Sequence, residues 1–378
     1  MRTFPASLVR LFCALALALL AQTLPAAAQQ YAVIDLGTLG GASSEASAIN
    51  SHGDVVGWSA TAAGPVHGFI VRAGVMGDLG TMQGGTTSFA TGINDLGQVT
   101  GYGGLNAFGP QFREIMNSFL WENGSMVPLG GFPFSPTFNT RHPTTAAFGI
   151  NGLTQIVGTW RTPHAGLFHG YRWQNGVVTD VSGGIDVPLN GAARAINEAG
   201  RIVGELGERA SLWQDGEIKD LGTLPGHLGS RALGINASAQ IVGESLATDG
   251  TSRAVLWQTG EITDLGTLPN DVSSRAIGIN GPAHVVGASA AADGTSRAFI
   301  WRHGNMRDLN TLIPADSGWA LTSAAAINDA GEIVGTGILD GQTRAFLLMR
   351  CDRGHDEPKN HDEPKKEQKE KKNKFCRQ

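Results

Sequence analysis

The sequence predicts an all-β protein of the β-propeller class, with seven four-stranded blades closed by the N-terminal strand. The first observation is a phrase of about 45 residues that recurs seven times between Asp35 and Arg350, a period typical of propeller blades. The second is that each copy holds four short apolar runs, joined by turns that require antiparallel neighbours. The third is that the last copy lacks its fourth run, and a matching run stands at the N-terminal end.

The first two runs of each copy are joined by a tight turn that begins at an Ile-Asn pair. In four copies the turn reads Asn-x-x-Gly, which suits a type I turn with a local hydrogen bond to the Asn side chain and a glycine that tolerates positive φ. The second run contains a glycine, such as Gly57, Gly158, Gly243 or Gly287, which we expect to permit close approach of neighbouring strands. The four turns lie at 50–53, 94–97, 197–200 and 328–331.

The third run of most copies ends in an aromatic residue, and a Gly-centred turn leads to the fourth run. Asn123-Gly124, Asn175-Gly176 and Asp215-Gly216 are dipeptides that favour two-residue hairpin loops. We expect the aromatic ends to pack between blades; they are Trp121, Trp173, Trp213, Trp257 and Trp301.

The match between the N-terminal run and the run missing from the last copy favours a closed ring. The run from Tyr31 to Gly37 matches the fourth run seen at Asp78, Asp220 and Asp264, and pairing it with the last copy removes both exposed sheet edges. A parallel β-helix is the rival, because a half-period of about 22 residues is also visible, but the tight hairpin turns argue against it. Six or eight blades remain open, since copies three and four depart most from the repeat.

The N-terminal segment has a composition of its own. Residues 1–28 show the three parts of a secretory signal, with positive charge, an apolar run from Leu11 to Leu20 and the small residues Ala26-Ala27-Ala28 before the cleavage site. That run is too short for a membrane span, which needs roughly 18–20 apolar residues. We therefore expect a secreted protein, extracellular or periplasmic, without a membrane span.

The propeller is expected to occupy residues 29–350, and residues 351–378 form a separate tail. The tail holds all but one of the lysines and few apolar residues, a composition typical of disorder. Cys351 and Cys376 bracket the tail, either bridged or as free thiols.

Charged residues within the repeat have a structural interpretation. Six arginines stand just before an alanine and an apolar run, and we favour their pairing with the Asp-Leu-Gly aspartates Asp220, Asp264 and Asp308 over a basic ring. The repeat region is acidic and nearly free of lysine, which argues against nucleic acid as a partner. The arginines are Arg194, Arg231, Arg253, Arg275, Arg297 and Arg344.

The largest departures from the repeat are two inserts, at 103–117 and 131–145. In a four-stranded propeller blade both connections emerge on the face opposite the tight turns, where long loops on a rigid scaffold commonly form binding sites. Aromatic residues beside Arg and His suit a carbohydrate or an anionic ligand. The ligand-binding candidates are Phe108, Phe112, Arg113, Glu114, Arg141 and His142 from the inserts, with Trp160, Arg161, His164 and His169 from the equivalent connection of copy three.

Signatures of catalysis are mostly absent from the sequence. It contains no H-E-x-x-H, G-x-S-x-G, Walker A or Gly-rich dinucleotide motif, so no catalytic residue and no cofactor are assigned. A zinc site would need convergence of His142, His164 and His169, and surface histidines are the simpler interpretation. A carboxylate pair for glycoside hydrolysis stays open, although Glu114 is the one acidic residue in the inserts, which argues against it.

The repeat resembles that of the extracellular HAF-repeat proteins of bacteria. The resemblance rests on His67-Gly68-Phe69, on Arg297 to Trp301, on the Asp-Leu-Gly segment 35–41 and on the Ile-Asn segment 48–57, and it covers about Tyr31 to Arg350. It implies an exported repeat protein and no particular biochemical activity.

These observations predict a secreted, non-catalytic propeller, monomeric, that binds a glycan or an extracellular protein through the face that carries the inserts. The alternative is an extracellular polysaccharide lyase or glycoside hydrolase that uses the same face. A structural envelope protein is a third hypothesis.

Overall fold

A computed structural model describes residues 30–105, 115–132, 144–161, 167–184 and 189–351. They form seven four-stranded antiparallel sheets, so the predicted seven-bladed propeller is confirmed. The first four blades comprise β2 (Gly40–Ile49), β3 (Val55–Thr61), β4 (Val66–Arg72) and β5 (Val75–Gly80); β6 (Ser88–Ile93), β7 (Val99–Leu105), β8 (Ile115–Glu122) and β9 (Ser125–Pro128); β10 (Thr145–Ile150), β11 (Ile156–Arg161), β12 (Phe168–Gln174) and β13 (Val177–Asp180); β14 (Gly191–Ile196), β15 (Ile202–Leu206), β16 (Arg209–Gln214) and β17 (Glu217–Asp220).

The fifth and sixth blades follow the same order, and the seventh joins the two ends of the described chain. They comprise β18 (Gly229–Ile235), β19 (Ile241–Leu246), β20 (Ser252–Gln258) and β21 (Glu261–Gly266); β22 (Ser273–Ile279), β23 (Val285–Ala290), β24 (Ser296–Arg302) and β25 (Asn305–Asp308); β26 (Trp319–Ile327), β27 (Ile333–Leu339), β28 (Gln342–Arg350) and β1 (Tyr31–Asp35). A single turn of 3₁₀ helix, Leu309–Thr311, precedes β26. Within the described residues no helix is long and apolar enough to cross a membrane.

The N-terminal strand closes the ring as the repeat phase predicts. Strand β1 pairs antiparallel with β28, placing Tyr31 opposite Arg350 and Asp35 opposite Phe346. The first strand of every blade contacts the first strands of both neighbours, so the first strands surround the central axis and the fourth strands lie outermost.

The two ends of the ring differ in the loops that they carry. The turns between strands one and two, and between strands three and four, lie on one end, which we call the turn face. The connections between strands two and three, and from one blade to the next, lie on the other end, the loop face. On the turn face the hairpin dipeptides adopt positive φ at both residues, for example Asn123 (52°), Gly124 (82°), Asp215 (53°) and Gly216 (83°), which confirms their prediction as two-residue turns.

The glycine of the second strand is a steric requirement in every blade. The register of the first strand shifts opposite it, as between Ala276 and Gly278, so the backbones approach closely. A Cβ on Gly287 would overlap the carbonyl oxygen of Arg275 and lie 2.9 Å from the Phe299 ring. The same overlap with a first-strand carbonyl oxygen arises at Gly57, Gly101, Gly158, Gly204, Gly243 and Gly335.

The core is divided into seven apolar clusters, each of which joins two adjacent blades. One cluster contains Val242 and Leu256 of blade five with Val285 and Phe299 of blade six, and another joins Val55 and Phe69 of blade one to Val334 of blade seven. The tryptophans at the ends of the third strands pack in these clusters, as predicted. Burial between blades, rather than within one, therefore stabilises the ring.

A closed circle of hydrogen bonds runs around the axis at the Ile-Asn positions. The side-chain amide of Asn50 donates to the carbonyl of Asn94 at 3.2 Å, and Asn328 completes the circle by donating to the carbonyl of Asn50 at 3.2 Å. The seven asparagines are buried, so each side-chain amide finds its partner in the carbonyl of the next blade, which also accepts a backbone N–H within its own turn. The intermediate donors are Asn94, Asn151, Asn197, Asn236 and Asn280.

Some predictions lie outside the described residues, and one boundary is corrected. The secretory signal, Cys376 and the tail beyond residue 351 are outside them, whereas Cys351 is disulfide-bonded. The insert of copy two was predicted at 103–117, but β7 continues to Leu105 and β8 begins at Ile115. The strands extend because residues 103–105 pair in register with 115–117.

Removal of one asparagine amide is expected to destabilise the protein. The Asn236 side chain donates to Asn280 O at 3.0 Å and to Gln240 Oε1 at 2.7 Å, and accepts from Gln240 N at 2.9 Å. Asn236→Ala should lower the free energy of unfolding by at least about 2 kcal/mol, because it removes these three hydrogen bonds, each worth about 0.5–1.5 kcal/mol, although the Asn280 carbonyl keeps its bond from the Ala283 N–H. Chemical denaturation measures this, with Thr248→Ala, an exposed turn position, as the control. Equal stability of the two variants would contradict a role for the circle.

Gly287→Ala should destabilise more strongly, because backbone and aromatic ring cannot both move away from the new methyl group. We expect a loss of at least about 3 kcal/mol in the free energy of unfolding. Gly130→Ala is the matched control, since its Cβ would meet nothing within 4 Å, and it should change stability by less than about 0.5 kcal/mol. Similar losses in the two variants would show that general glycine effects, and not overlap, determine the result.

Candidate functional site

Seven of the predicted ligand-binding residues lie outside the described residues: Phe108, Phe112, Arg113, Glu114, Arg141, His142 and His164. Their predicted role stays a prediction. Trp160, Arg161 and His169 are described, and all three belong to blade three. Arg161 is exposed at the loop-face end of β11, where its backbone amide donates to the carbonyl of Thr144 at 2.9 Å.

Trp160 and His169 are buried side chains of paired strands. Trp160 is 1% exposed and packs near Phe132, with the ring centres 6.1 Å apart. His169 is fully buried, and its Nδ1 lies 2.9 Å from a carboxylate oxygen of Asp180. In the part of the chain that the structure describes, the indole N–H of Trp160 and the Nε2 atom of His169 have no hydrogen-bond partner. Neither side chain faces solvent, so both pack beneath the surface of the loop face.

The His169–Asp180 pair belongs to a row of equivalent pairs on the loop face. A cationic or imidazole side chain at the start of the third strand meets the aspartate at the end of the fourth strand. The pairs are His67–Asp78, His169–Asp180, Arg209–Asp220, Arg253–Asp264 and Arg297–Asp308. This confirms the predicted pairing for Arg253 and Arg297, and it shows that Asp220 pairs with Arg209.

Two arginines pair differently from the prediction. Arg194 and Arg231 lie on first strands, far from the fourth strand of their own blades, so they meet glutamates of the adjacent second strand. Arg194 Nη2 lies 2.6 Å from Glu205 Oε1, and Arg231 Nη1 lies 3.2 Å from Glu244 Oε1. For Arg275 and Arg344 no ion pair is found within the described residues.

A second ring of side chains surrounds the axis on the loop face; we call it the mouth ring. Each blade contributes one residue from its first strand and the residue opposite it on its second strand. Their neighbours along each first strand are buried, except Thr322 of blade seven, whereas these side chains are exposed or partly exposed, except Ala192 and Glu244. In blade order the pairs are Glu45/Trp58, Phe89/Tyr102, Ala146/Thr159, Ala192/Glu205, Arg231/Glu244, Arg275/Ala288 and Ser323/Thr336.

In blades three to five the polar groups of the mouth ring are satisfied by the protein itself. Thr159 donates to the carbonyl of Gly191 at 3.1 Å. The Arg194 guanidinium stacks on Phe148 at 4.7 Å and makes a bidentate contact with Glu205, beside a cavity of about 360 Å³ that Arg231 also lines. We call this part the closed half, because its charges neutralise one another.

In blades six, seven, one and two the same positions carry polar groups without partners. Within the described residues, no hydrogen bond or ion pair involves the side chains of Arg275, Ser323, Thr336 or Glu45, nor the Trp58 indole N–H or the Tyr102 hydroxyl. These blades are consecutive around the ring, since blade seven follows blade six and adjoins blade one. We call this contiguous part the open half.

The open half also contains the aromatic part of the mouth ring. The Trp58 ring meets Phe89 of the next blade edge-on, with the ring centres 6.1 Å apart. Phe89 stacks on Tyr102 at 5.2 Å with 23° between the rings. The three rings form a continuous partly exposed surface across blades one and two, with the Glu45 carboxylate on the strand next to Trp58.

Partial burial raises the pKa of two groups on this surface. Desolvation raises the pKa of the Glu45 carboxyl above its ordinary value of 4.5 and the pKa of the Tyr102 hydroxyl above 10.0. Both groups are therefore less hydrated than surface side chains, and a ligand that supplies a hydrogen bond displaces little water from them.

Sequence reasoning did not identify Glu45, Trp58, Phe89 or Tyr102. Each lies inside a regular strand, where single substitutions look like ordinary variation. The available signal was the position after the second-strand glycine, which is aromatic only in Trp58 and Tyr102. A metal site is not supported, since the described residues contain no group of three or more His, Cys, Asp or Glu that could hold a metal ion.

Comparison with known proteins supports the fold and goes no further. Neither a protein-family model nor a curated protein matches the chain. Among solved structures, YCF48 bound to D1 peptide is 12% identical with a TM-score of 0.50, covering 87% of this chain and 97% of its own. A puromycin-hydrolysing peptidase of Mycobacterium tuberculosis is 11% identical with a TM-score of 0.51, covering 83% of this chain and 52% of its own.

A further similar structure is the β-propeller domain of the Trilobed protease from Pyrococcus furiosus. It is 9% identical with a TM-score of 0.45, covering 87% of this chain and 100% of its own. At these identities the likeness is one of architecture.

The raised pKa of Glu45 predicts a pH-dependent stability. The native state holds this proton more tightly than the unfolded chain does, so wild-type stability falls as the pH rises from below 4.5 through the raised pKa. Glu45→Gln removes that loss. The variant should be the more stable protein at neutral pH, and the difference should vanish below about pH 3.5.

Denaturation curves of wild type and Glu45→Gln across this pH range measure the effect. Glu45→Asp keeps the charge and should keep the sign of the wild-type pH dependence. A constant difference between wild type and Glu45→Gln at all pH values would contradict the burial of this carboxylate.

Proposed function

We propose that this chain is a secreted, non-catalytic binding module and that the open half of the mouth ring receives a glycan. The observation that carries the proposal is the contiguous surface of Glu45, Trp58, Phe89 and Tyr102, in which aromatic rings lie beside polar groups that have no partner among the described residues. Export is supported by the N-terminal signal pattern and by the resemblance to extracellular HAF-repeat proteins.

The chemistry of the surface suits a sugar. A pyranose ring has apolar C–H faces and a rim of hydroxyl groups, so it needs both an aromatic surface and hydrogen-bonding groups at the edge. Trp58 and Tyr102 can supply the aromatic surface and donate through the indole N–H and the phenol. The Glu45 carboxylate accepts hydrogen bonds from hydroxyl groups, and such charge-assisted bonds are stronger than neutral ones.

The scaffold holds these groups in position before the ligand arrives. Glu45, Trp58, Phe89 and Tyr102 all lie on paired strands, and the asparagine circle fixes the spacing of the blades that carry them. A surface that is already ordered avoids part of the conformational entropy cost of binding.

A binding role fits the open half better than hydrolysis. Glycoside hydrolases commonly use two carboxylates on opposite sides of the bond, whereas Glu45 is the one carboxylate of the open half. A protein partner is the other ligand class, and the similar structure of YCF48 was determined with a bound peptide. The same experiment separates these possibilities.

Trp58→Ala should weaken glycan binding by at least about tenfold, because it removes an aromatic face and an N–H donor together. The measurement is retention of purified protein on a panel of immobilised bacterial and plant polysaccharides, followed by titration with the oligosaccharides that retain it. Leu153→Ala, at a residue 59% exposed on the turn face, is the matched control and should bind as wild type does.

Released oligosaccharide would identify the chain as a lyase or hydrolase instead. Retention that survives Trp58→Ala, Phe89→Ala and Tyr102→Ala would move the site away from the open half. Absence of retention on every polysaccharide would favour a protein partner.

A further inference from the structure

Because the blades repeat, the charged residues of the mouth ring in one blade can be compared with the residues at the same positions in another blade. In blade five, Arg231 lies opposite Glu244, and the two form an ion pair at 3.2 Å. In blade six the same register places Arg275 opposite Ala288. The arginine is retained and the carboxylate is missing, so the place that Glu244 occupies in blade five has only a methyl group in blade six.

The surroundings of Arg275 offer no substitute within the described residues. Arg275 is exposed, and no carboxylate lies within 4.0 Å of its guanidinium. The next mouth-ring pair, Ser323 and Thr336 of blade seven, carries two hydroxyl groups that make no hydrogen bond there either. A guanidinium beside two hydroxyl donors is a set of groups that recognises a carboxylate, because the planar fork of arginine binds both of its oxygens.

We propose that the ligand of the open half is an acidic glycan, and that Arg275, with Ser323 and Thr336, binds the carboxylate of a uronic acid residue. This inference rests on the proposed function and specifies its ligand class. The ligand carboxylate takes the position that Glu244 holds in blade five and completes the ion pair that blade six lacks.

The order of charged and aromatic groups around the mouth ring also determines how the ligand is oriented. Arg275 on blade six and Glu45 on blade one are separated by the hydroxyl pair of blade seven. A carboxylate placed next to Glu45 would be repelled, since like charges at short distance are unfavourable. The acidic group therefore lies over blade six, and neutral sugar rings extend past blade seven onto Trp58, Phe89 and Tyr102.

The test uses an oligogalacturonate and its fully methyl-esterified form, which differ in charge and share one backbone. Wild type should bind the acid form at least about tenfold more tightly than the ester, since one arginine–carboxylate contact is removed by esterification. Ala288→Glu supplies the internal partner that blade five has naturally, so it should fold normally and lose the preference for the acid. Ala288→Gln adds the same bulk without charge and should keep the preference.

Two further variants separate this inference from the proposed function. Arg275→Ala should lose the acid preference while it retains binding of the ester, and Trp58→Ala should weaken both ligands. Equal binding of acid and ester by wild type, with both sensitive to Trp58→Ala, would overturn the carboxylate site and leave glycan binding standing. A preference for the acid that persists in Arg275→Ala and Ala288→Glu would also overturn it.

A direct measurement covers the case in which neither oligosaccharide binds, which would count against the proposed function. Galacturonate and galactose are then compared at high concentration by their effect on the thermal unfolding midpoint. A rise with galacturonate that disappears in Arg275→Ala supports the carboxylate site independently of longer glycans. No difference between the two sugars would overturn it.

Discussion

The architecture depends on the buried circle of asparagine amides around the axis. Each amide donates to the carbonyl of the next blade, so the correct position of one blade is a condition for satisfying the polar groups of its neighbour. Each of these carbonyls also accepts the backbone N–H three residues further along its own turn, so a break in the circle removes the bond between blades, worth about 0.5–1.5 kcal/mol, and leaves the turn bond in place. Asn328 donates back to Asn50 across the junction of the last and first blades, which is also where β1 completes the seventh sheet. Closure by the N-terminal strand and closure of the circle are therefore two parts of one constraint.

This constraint determines which residues of the repeat can vary. The asparagine, the alanine four residues before it and the glycine of the second strand recur in all seven copies, because all three lie where strands or blades approach closely. The mouth-ring positions alternate with these buried positions along the same strands, and they range from glutamate to tryptophan to alanine. The fold thus holds a set of freely variable side chains on a rigid circle, at the end of the axis where the long connections also emerge.

Sequence reasoning recovered the features that depend on local signals. The hairpin turns follow from residues close together in the chain, the blade number and the mixed seventh blade follow from counting the copies of a local pattern, and the structure confirms all three. The asparagine circle could not be predicted, because each of its bonds joins residues at least 39 positions apart and the turn already explains why asparagine is present. The open half escaped prediction for a related reason. Trp58 and Phe89 meet only because neighbouring blades stack. The inserts, in contrast, can be recognised within a single copy of the repeat.

Comparison of equivalent positions distinguishes two kinds of departure from the repeat. In the outer row of ion pairs, blade two has Asn117 where other blades have His or Arg, and Pro128 where they have Asp. Both partners are lost together, so no charge is left unpaired and the change needs only a structural explanation. In blade six of the mouth ring one partner is lost and the other is retained, so Arg275 keeps a charge for which the described residues supply no counterpart. The closed half shows that this ring readily forms internal pairs, and a ligand that opened one would have to compete with an attached carboxylate at high effective concentration. A ligand carboxylate at Arg275 meets no such competitor among the described residues, which is why the unmatched loss, and not the cavity beside Arg194, indicates where an acidic ligand binds.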